Sequence, residues 1–397
     1  LWVDRFGYIR EDSDSNDVLN LKRDYVVIMD SGTATAILYQ DTTGRGELKR
    51  LPGNVHIEYL KYIWDGGKLL AARDPDDRVI KTGVDRNNNG IVEPNECIDF
   101  SLANEAVIIP HLGVPNDTGR AIIRWVRGQD IAPYRTRQLG GQTWKLGDIV
   151  YSTNTYVGKP MEGYSLIYYD RSYQNFYNHY KYAAPPPPYN GRNDAIYVGA
   201  NDGMLHCFNA GKYIENKTVS KDTIPGYLDG WNEQLGKELW TYIPYNLLPH
   251  LKWMLDKKYC HVYYVDLKPY LTDVQIFNAD AVHDSGWGTI LIGGMRLGGT
   301  PIKVGTTVYH SAYFAFDVTD PKNPQFLWEY TDTCLGLTTC FPTVAKVGSN
   351  WFLIFGSGPK SNKGVACSTT AKIYVLDLKT GQRLRRFDLA VGDSICG

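Results

Sequence analysis

Short alternating apolar and polar runs, broken by Gly, Asp and Asn, set the pattern of this chain. DYVVIMD at 24–30, TATAILYQD at 33–41 and RVIKTGV at 78–84 read as strands between turn residues. They predict a small β-rich domain over residues 1–115. The period then changes. In NDTGRAIIRWVRGQD at 116–130, Ile122, Ile123 and Val126 recur at helical spacing. Asn116 to Thr118 are capping candidates and Gly128 is a stop, so one short helix is expected within a linker over 116–139. From 140 to 397 the units repeat one another: DAIYVGANDGMLHCFNA at 194–210, HSAYFAFDVTDPKNPQFLWEY at 310–330 and AKIYVLDLKTGQRLRRFDL at 371–389. Each places an apolar strand before an Asp or Asn, then a turn and a second strand, as in LGKELWTYIP at 235–244. Units of this kind cannot bury both faces alone and must stack. The expected fold is all-β, a modified propeller of about six to seven blades at roughly 40–45 residues each. One Tyr-rich helical stretch, followed by Pro185 to Pro188 as a stiff exposed loop, interrupts it as an excursion from the propeller.

Composition narrows the function classes. The 39 Gly, 29 Tyr and 10 Trp suit a turn-rich β protein. With 42 Lys plus Arg against 43 Asp plus Glu, the net charge of −1 gives no electrostatic case for nucleic acid or an anionic membrane. No apolar run approaches the roughly 20 residues of a membrane span. The chain opens at Leu1 rather than Met, so a leader and a further N-terminal domain are expected to precede it. Seven Cys at 97, 207, 260, 334, 340, 367 and 396 include no C-x-x-C pair, which argues against zinc ribbons and haem attachment. Cys334 and Cys340 bracket the loop TCLGLTTC and are expected to close it by a disulfide.

The sharpest motif is DRNNNGIVEPNE at 85–96, which matches D-x-[DN]-x-[DN]-G-x5-E at every specified position. Asp85, Asn87 and Asn89 would offer side-chain oxygens, and Ile91 its carbonyl. Glu93 would bind directly or through water, Glu96 in a bidentate manner, and Gly90 would allow the sharp turn. An oxygen-only shell of this kind suits Ca2+ at modest affinity. Pro94 and the strand-like VIKTGV argue for an EF-hand-like loop between strands rather than between helices. The alternative is an Asn/Asp/Gly turn that only favours water.

Several longer runs then carry a resemblance. They are WVRGQD at 125–130, WKLGDIVYSTNTYVG at 144–158, AIYVGANDGMLHCFNA at 195–210 and GKELWTYIPYNLLPHLKWM at 236–254. HVYYVDLKPYLTDVQIF at 261–277, WGTILIGGMRLGG at 287–299 and YFAFDVTDPKNPQFLWEY at 313–330 continue them in order. Together they resemble the propeller domain of the PilY-type adhesins of the type IV pilus tip. The resemblance implies a propeller at the C-terminal end of a larger exported protein at the bacterial cell surface. Such a protein would help assemble pili with minor pilins, oppose their retraction, and support attachment to a surface ligand and twitching motility. It also implies calcium control, although the candidate loop lies ahead of the blades and none lies within them. The family pattern further implies another blade after the turn at Lys379 to Gln382.

Two other readings compete. NDGMLHCFNA followed by GKELW is similar to the Trp-bearing repeats of quinoprotein dehydrogenases, but those enzymes use an adjacent Cys pair that is absent here. A carbohydrate-binding propeller is the other, since a shallow aromatic site leaves no motif. No G-x-S-x-G, H-E-x-x-H or P-loop occurs, so no catalytic residues are expected. Trp240 and Trp328 are read as blade-packing anchors, and Asp202, His206 and Asp266 as turn residues bonded to nearby backbone.

Overall fold

The computed structural model describes all residues except 1, 4–8, 12, 14–20, 31–34, 57–63, 181–191, 216–225, 231–232, 360–370 and 390–397. Pro185 to Pro188, Cys367 and Cys396 therefore lie outside the described residues. Contacts divide the chain into two compact units. One comprises residues 1–65 with 211–236, the other 66–210 with 237–397.

In the first unit, β1 (Tyr25–Asp30) and β2 (Thr35–Gln40) pair antiparallel, with Val26 opposite Tyr39 and Ile28 opposite Ile37. Val27 and Ala36, with Leu38 and Val55 packed against them, form its small core. Arg10, fully buried, donates to the carbonyls of Leu21 and Asp24 and to Asp41 at 3.2 Å. Asp41 in turn accepts from the Gly44 and Gly46 amides at 2.8 Å each. A polar knot thus supplements a core too small to hold the hairpin alone.

The second unit opens with α1 (Gly66–Ala72), β3 (Ile80–Gly83), β4 (Ile91–Val92), β5 (Cys97–Asp99), α2 (Glu105–Leu112) and α3 (Asn116–Arg127). The predicted helix is α3, with Pro115 as its N-cap and Gly128 closing it at a φ of 127°. Its apolar face, Ile122, Ile123 and Val126, is buried with the blades in one core. The segment 116–139 is therefore not a free linker. The sequence also assigned 66–115 to a separate domain. The structure instead builds its strands into the propeller sheets, because only there do their edges find partners.

Apart from two short hairpins, at 138–143 and 302–309, the other described strands of this unit form three antiparallel meanders of four strands. The first is β6 (Thr155–Val157), β7 (Asp194–Gly199), β8 (Leu205–Glu215) and β9 (Glu238–Ile243), with α4 (Tyr164–Ile167) and α5 (Arg171–Tyr180) between β6 and β7. The second is β10 (Tyr270–Gln275), β11 (Trp287–Gly294), β12 (Tyr313–Asp317) and β13 (Gln325–Tyr330). The third is β14 (Thr343–Val347), β15 (Asn350–Gly356), β16 (Lys372–Asp377) and β17 (Arg383–Asp388). Among the described residues there are three such blades, not the six to seven expected. The first occupies far more chain than a minimal blade, since α4, α5 and the 211–236 excursion are inserted in it, and the 3-10 segment Tyr245–Leu255 separates it from the second.

The repeats share a detail beyond hydrophobic pattern. Each blade has a bulge between its third and fourth strands, at Cys207/Phe208, Ala315/Phe316 and Val375/Leu376. The residue opposite the first bulge position is Trp240, Trp328 and Arg385 respectively. Trp240 donates its indole N–H to the Pro321 carbonyl in the next blade at 2.9 Å, and Trp328 donates to the Leu378 carbonyl in the blade after that at 2.9 Å. Gly381, at a φ of 69°, leaves room for this contact. A Cβ there would sit 2.5 Å from the Trp328 ring. Both tryptophans are blade anchors, as expected.

Pleating gives the middle blade two buried faces. Leu291, Phe314 and Phe316 enter the core shared with the first blade, whereas Ile290, Ile292, Tyr313 and Trp328 enter the core shared with the third. That second core also takes in Tyr173, Phe176 and Tyr180 of α5. The disulfide expected in the third blade's approach is absent: Cys334 and Cys340 are both free. Backbone bonds hold this loop instead, from Gly336 to Ser357 and from Leu337 to Pro359, while Cys340 Sγ accepts the Gly356 amide at 3.2 Å.

Candidate cation-binding loop and the buried charge network

The loop 85–96 lies between β3 and β5 and carries β4 within it. β3 pairs parallel with β9 of the first blade, Thr241 opposite Ile80. β4 pairs antiparallel with β13 of the second, Glu329 opposite Val92 and Tyr330 opposite Ile91. Gly90 adds one more bond, its carbonyl accepting from the Thr331 amide at 3.1 Å. One short loop is thus stitched to the outer strands of two neighbouring blades.

Within it, side-chain oxygens fold the backbone inward. Asp85 accepts the Asn89 amide at 3.2 Å and the Gly90 amide at 3.0 Å. Asn87 Oδ1 accepts the Asn89 amide and Asn89 Oδ1 the Ile91 amide, at 2.9 and 2.7 Å. Glu96 accepts the Arg86 amide at 2.8 Å and the Glu93 amide at 3.0 Å. Asn88 and Gly90 take positive φ of 55° and 84°, which Asn and Gly tolerate. Burial raises the Asp85 carboxyl above its usual range, and the nearby Glu96 carboxylate adds to this against the pull of the amides.

These residues fit a hard cation in donor type and in the amide bonds that curl the loop, because each bonded carboxylate oxygen keeps a further lone pair. Glu93 is the exception. Its oxygens accept from Asn87 Nδ2 at 3.0 Å and Asn89 Nδ2 at 3.3 Å, so it now serves the asparagines. Ile91 opens β4. Among the described residues no three Asp, Glu, His or Cys side chains are gathered as metal ligands. The shell would draw on Asp85, Glu96 and neutral oxygens, with Glu93 released from its amides.

Beneath the first blade's outer strand lies a charge network that the sequence did not disclose. Glu238 of β9 is buried and accepts from Arg78 Nε and Nη2 at 2.9 and 3.0 Å and from His206 Nδ1 at 2.8 Å. Arg78 also donates to the carbonyls of Val126 and Arg127, capping α3. His206 Nε2 faces both oxygens of Asp202 at 3.1 and 3.0 Å. Burial opposes the charge on His206, but Asp202 and Glu238 prevail and raise it to about 9. Glu238 is correspondingly held well below the carboxylate range by Arg78 and His206, against its burial. Asp202 bonds the Gly147 and Met204 amides and Asp266 the Tyr151 amide, as expected of turn residues. His206 departs from that expectation by pairing with carboxylates. No local motif marks such a cluster, because Arg78 and Glu238 meet only in the fold.

The model of the PilY1 beta-propeller domain family matches residues 146–395. A type IV pilus biogenesis factor PilY1 homolog of Xylella fastidiosa is 32% identical over 240 residues, 59% of this chain and 16% of that protein. Type IV pilus biogenesis factor PilY1 of Pseudomonas aeruginosa is 28% identical over 342 residues, 82% of this chain and 24% of its own length. The chain therefore spans about a quarter or less of these relatives. The crystal structure of the Pseudomonas aeruginosa PilY1 C-terminal domain aligns at 25% identity with a TM-score of 0.37, over 60% of this chain and 38% of that one.

Proposed function

We propose that this chain, which belongs to the PilY1 beta-propeller family, acts as a type IV pilus biogenesis factor and adhesin. It works outside the cell at the pilus tip, among minor pilins. The observation that carries this reading is the family match, which runs through all three blades, together with the pilus role in the names of the relatives. Blades locked by Trp240 and Trp328 make a rigid platform, and the insertions between strands present the contact surface for attachment and twitching motility. The role is structural rather than enzymatic, since the two tryptophans are committed to backbone of adjacent blades.

Calcium modulates this platform in the same reading. Bound by Asp85, Asn87, Asn89, Ile91, Glu93 and Glu96, a cation would supply positive charge between Asp85 and Glu96. The loop is tied to β9 through β3 and to β13 through β4, so stiffening it stiffens the junction of two blades. Deleting the gene and counting pili and attached cells tests the pilus role. Loss of surface pili or attachment, restored by the intact gene, is expected. Normal piliation and attachment in the deletion strain refute it.

A further inference from the structure

A cleft of about 430 Å3 opens where α4 leans on the second and third blades, lined by Tyr164, Tyr168, Asp170, Trp287, Lys346 and Trp351 among others. That size lies within the range of small-molecule sites. Four of its walls are aromatic. Tyr164 lies 5.5 Å from the Trp287 ring at a tilt of 32°, and Trp287 meets Trp351 edge-on at 5.9 Å. Tyr168, 6.0 Å from Tyr164, is 72% exposed and stands at the mouth. The neighbouring Leu166, Ile167 and Tyr169 are exposed as well, a concentration of apolar surface unusual for a solvent-facing helix.

The polar groups define the ligand's charge. Lys346 Nζ sits 5.1 Å from the Trp351 ring and 5.5 Å from the Trp287 ring, so the cation–π position over the indoles is already filled. Asp170 supplies one opposing carboxylate; against burial, bonds from Ser172 and Tyr173, and lastly the Lys346 charge, hold its pKa low. The cleft is thus close to neutral overall. Trp351 Nε1, buried in its wall, has no hydrogen-bond partner among the described residues, an unmet donor of the kind that calls for an explanation.

We propose that this cleft binds a neutral pyranose. Such a sugar combines what the walls demand. Its flat C–H face covers an aromatic ring such as Tyr168, and its hydroxyls can accept from Lys346 and donate to Asp170. A cation would compete with Lys346, an anion would face Asp170, and a purely apolar group would strand both charges. This deepens the adhesin reading by naming the ligand class, and rests on that reading for its biological purpose alone.

Titration of the full chain with methyl glycosides of mannose, galactose and N-acetylglucosamine, followed by saturation-transfer NMR, tests it. At least one should saturate with a Kd on the order of 1 mM. Tyr168→Ala should weaken it about tenfold without shifting the thermal midpoint, because the ring is exposed, and Tyr168→Phe should restore it. No saturable glycoside, unchanged affinity in Tyr168→Ala, or tighter binding of glucuronate or glucosamine overturns the proposal. A deletion strain with normal pili would refute the pilus role while leaving glycoside binding in place.

Discussion

Replacing Glu238 by Gln removes one negative charge from a site that holds Arg78 and His206, with Arg73 Nη1 3.6 Å from the same carboxylate. In the native protein its carboxylate meets Arg78 through two bonds at 2.9 and 3.0 Å and His206 through one at 2.8 Å, all beyond the reach of solvent. The amide keeps one acceptor, so Arg78 retains the carbonyls of Val126 and Arg127 but loses its counter-charge. Breaking a buried pair on one side costs about 3–5 kcal/mol. His206 can relieve part of this by shedding its proton, which places the expected loss near the lower end, about 3 kcal/mol. For a unit of this size that lowers the thermal midpoint by roughly 5 °C. Differential scanning calorimetry at neutral pH reads it directly. Adding Arg78→Met to Glu238→Gln removes the stranded cation and should recover part of the loss. A Glu238→Gln midpoint within about 1 °C of the native protein would show that the network contributes nothing net, and would refute the reasoning.

Three further outcomes follow from the same geometry. His206 has its pKa raised from 6.5 to about 9 in the folded protein, so its contribution, roughly 3 kcal/mol, is full below pH 6.5 and lost as pH rises through about 9. A His206→Asn variant should flatten that part of the melting profile, and an identical profile would count against the charged histidine. Trp328→Phe deletes the bond to the Leu378 carbonyl at a fully buried site and should cost about 1–3 kcal/mol, seen as a lower urea midpoint; an unchanged midpoint would dismiss the anchor. Calorimetric titration should find one calcium site, abolished by Asp85→Ala with Glu96→Ala; equal binding by that variant would move the site elsewhere.

Much of the blade structure was legible because its signal is local. DAIYVGANDGMLHCFNA folds as β7, a tight turn and the start of β8, and YFAFDVTDPKNPQFLWEY as β12, a turn and β13. The boundary helix lies where its periodicity placed it, and the Tyr-rich stretch is helical over Arg171–Tyr180. What was not legible depends on distant partners. RVIKTGV reads as a strand, but nothing in it says that β3 lies parallel to β9 rather than in a domain of its own. The same holds for Arg78 and Glu238, and for Tyr164 meeting Trp287 and Trp351. The Cys334 to Cys340 spacing suggested a bond that the loop's own backbone contacts make unnecessary. For the loop at 85–96, the inward-curling amide bonds follow the motif, whereas the role of Glu93 toward Asn87 and Asn89 does not.

The stitching of β3 and β4 also sets an order of events as the chain emerges. β3 can close on β5 at once, Lys81 opposite Asp99, but its other edge waits for Thr241, and Val92 waits for Glu329. Through that interval β4 and the far edge of β3 are open, and closing such long loops is entropically slow. Early residues therefore finish folding last, when the second blade is complete. Residues 80–92 stay partly unpaired until then, and a slow final phase in refolding should track the arrival of their distant partner strands.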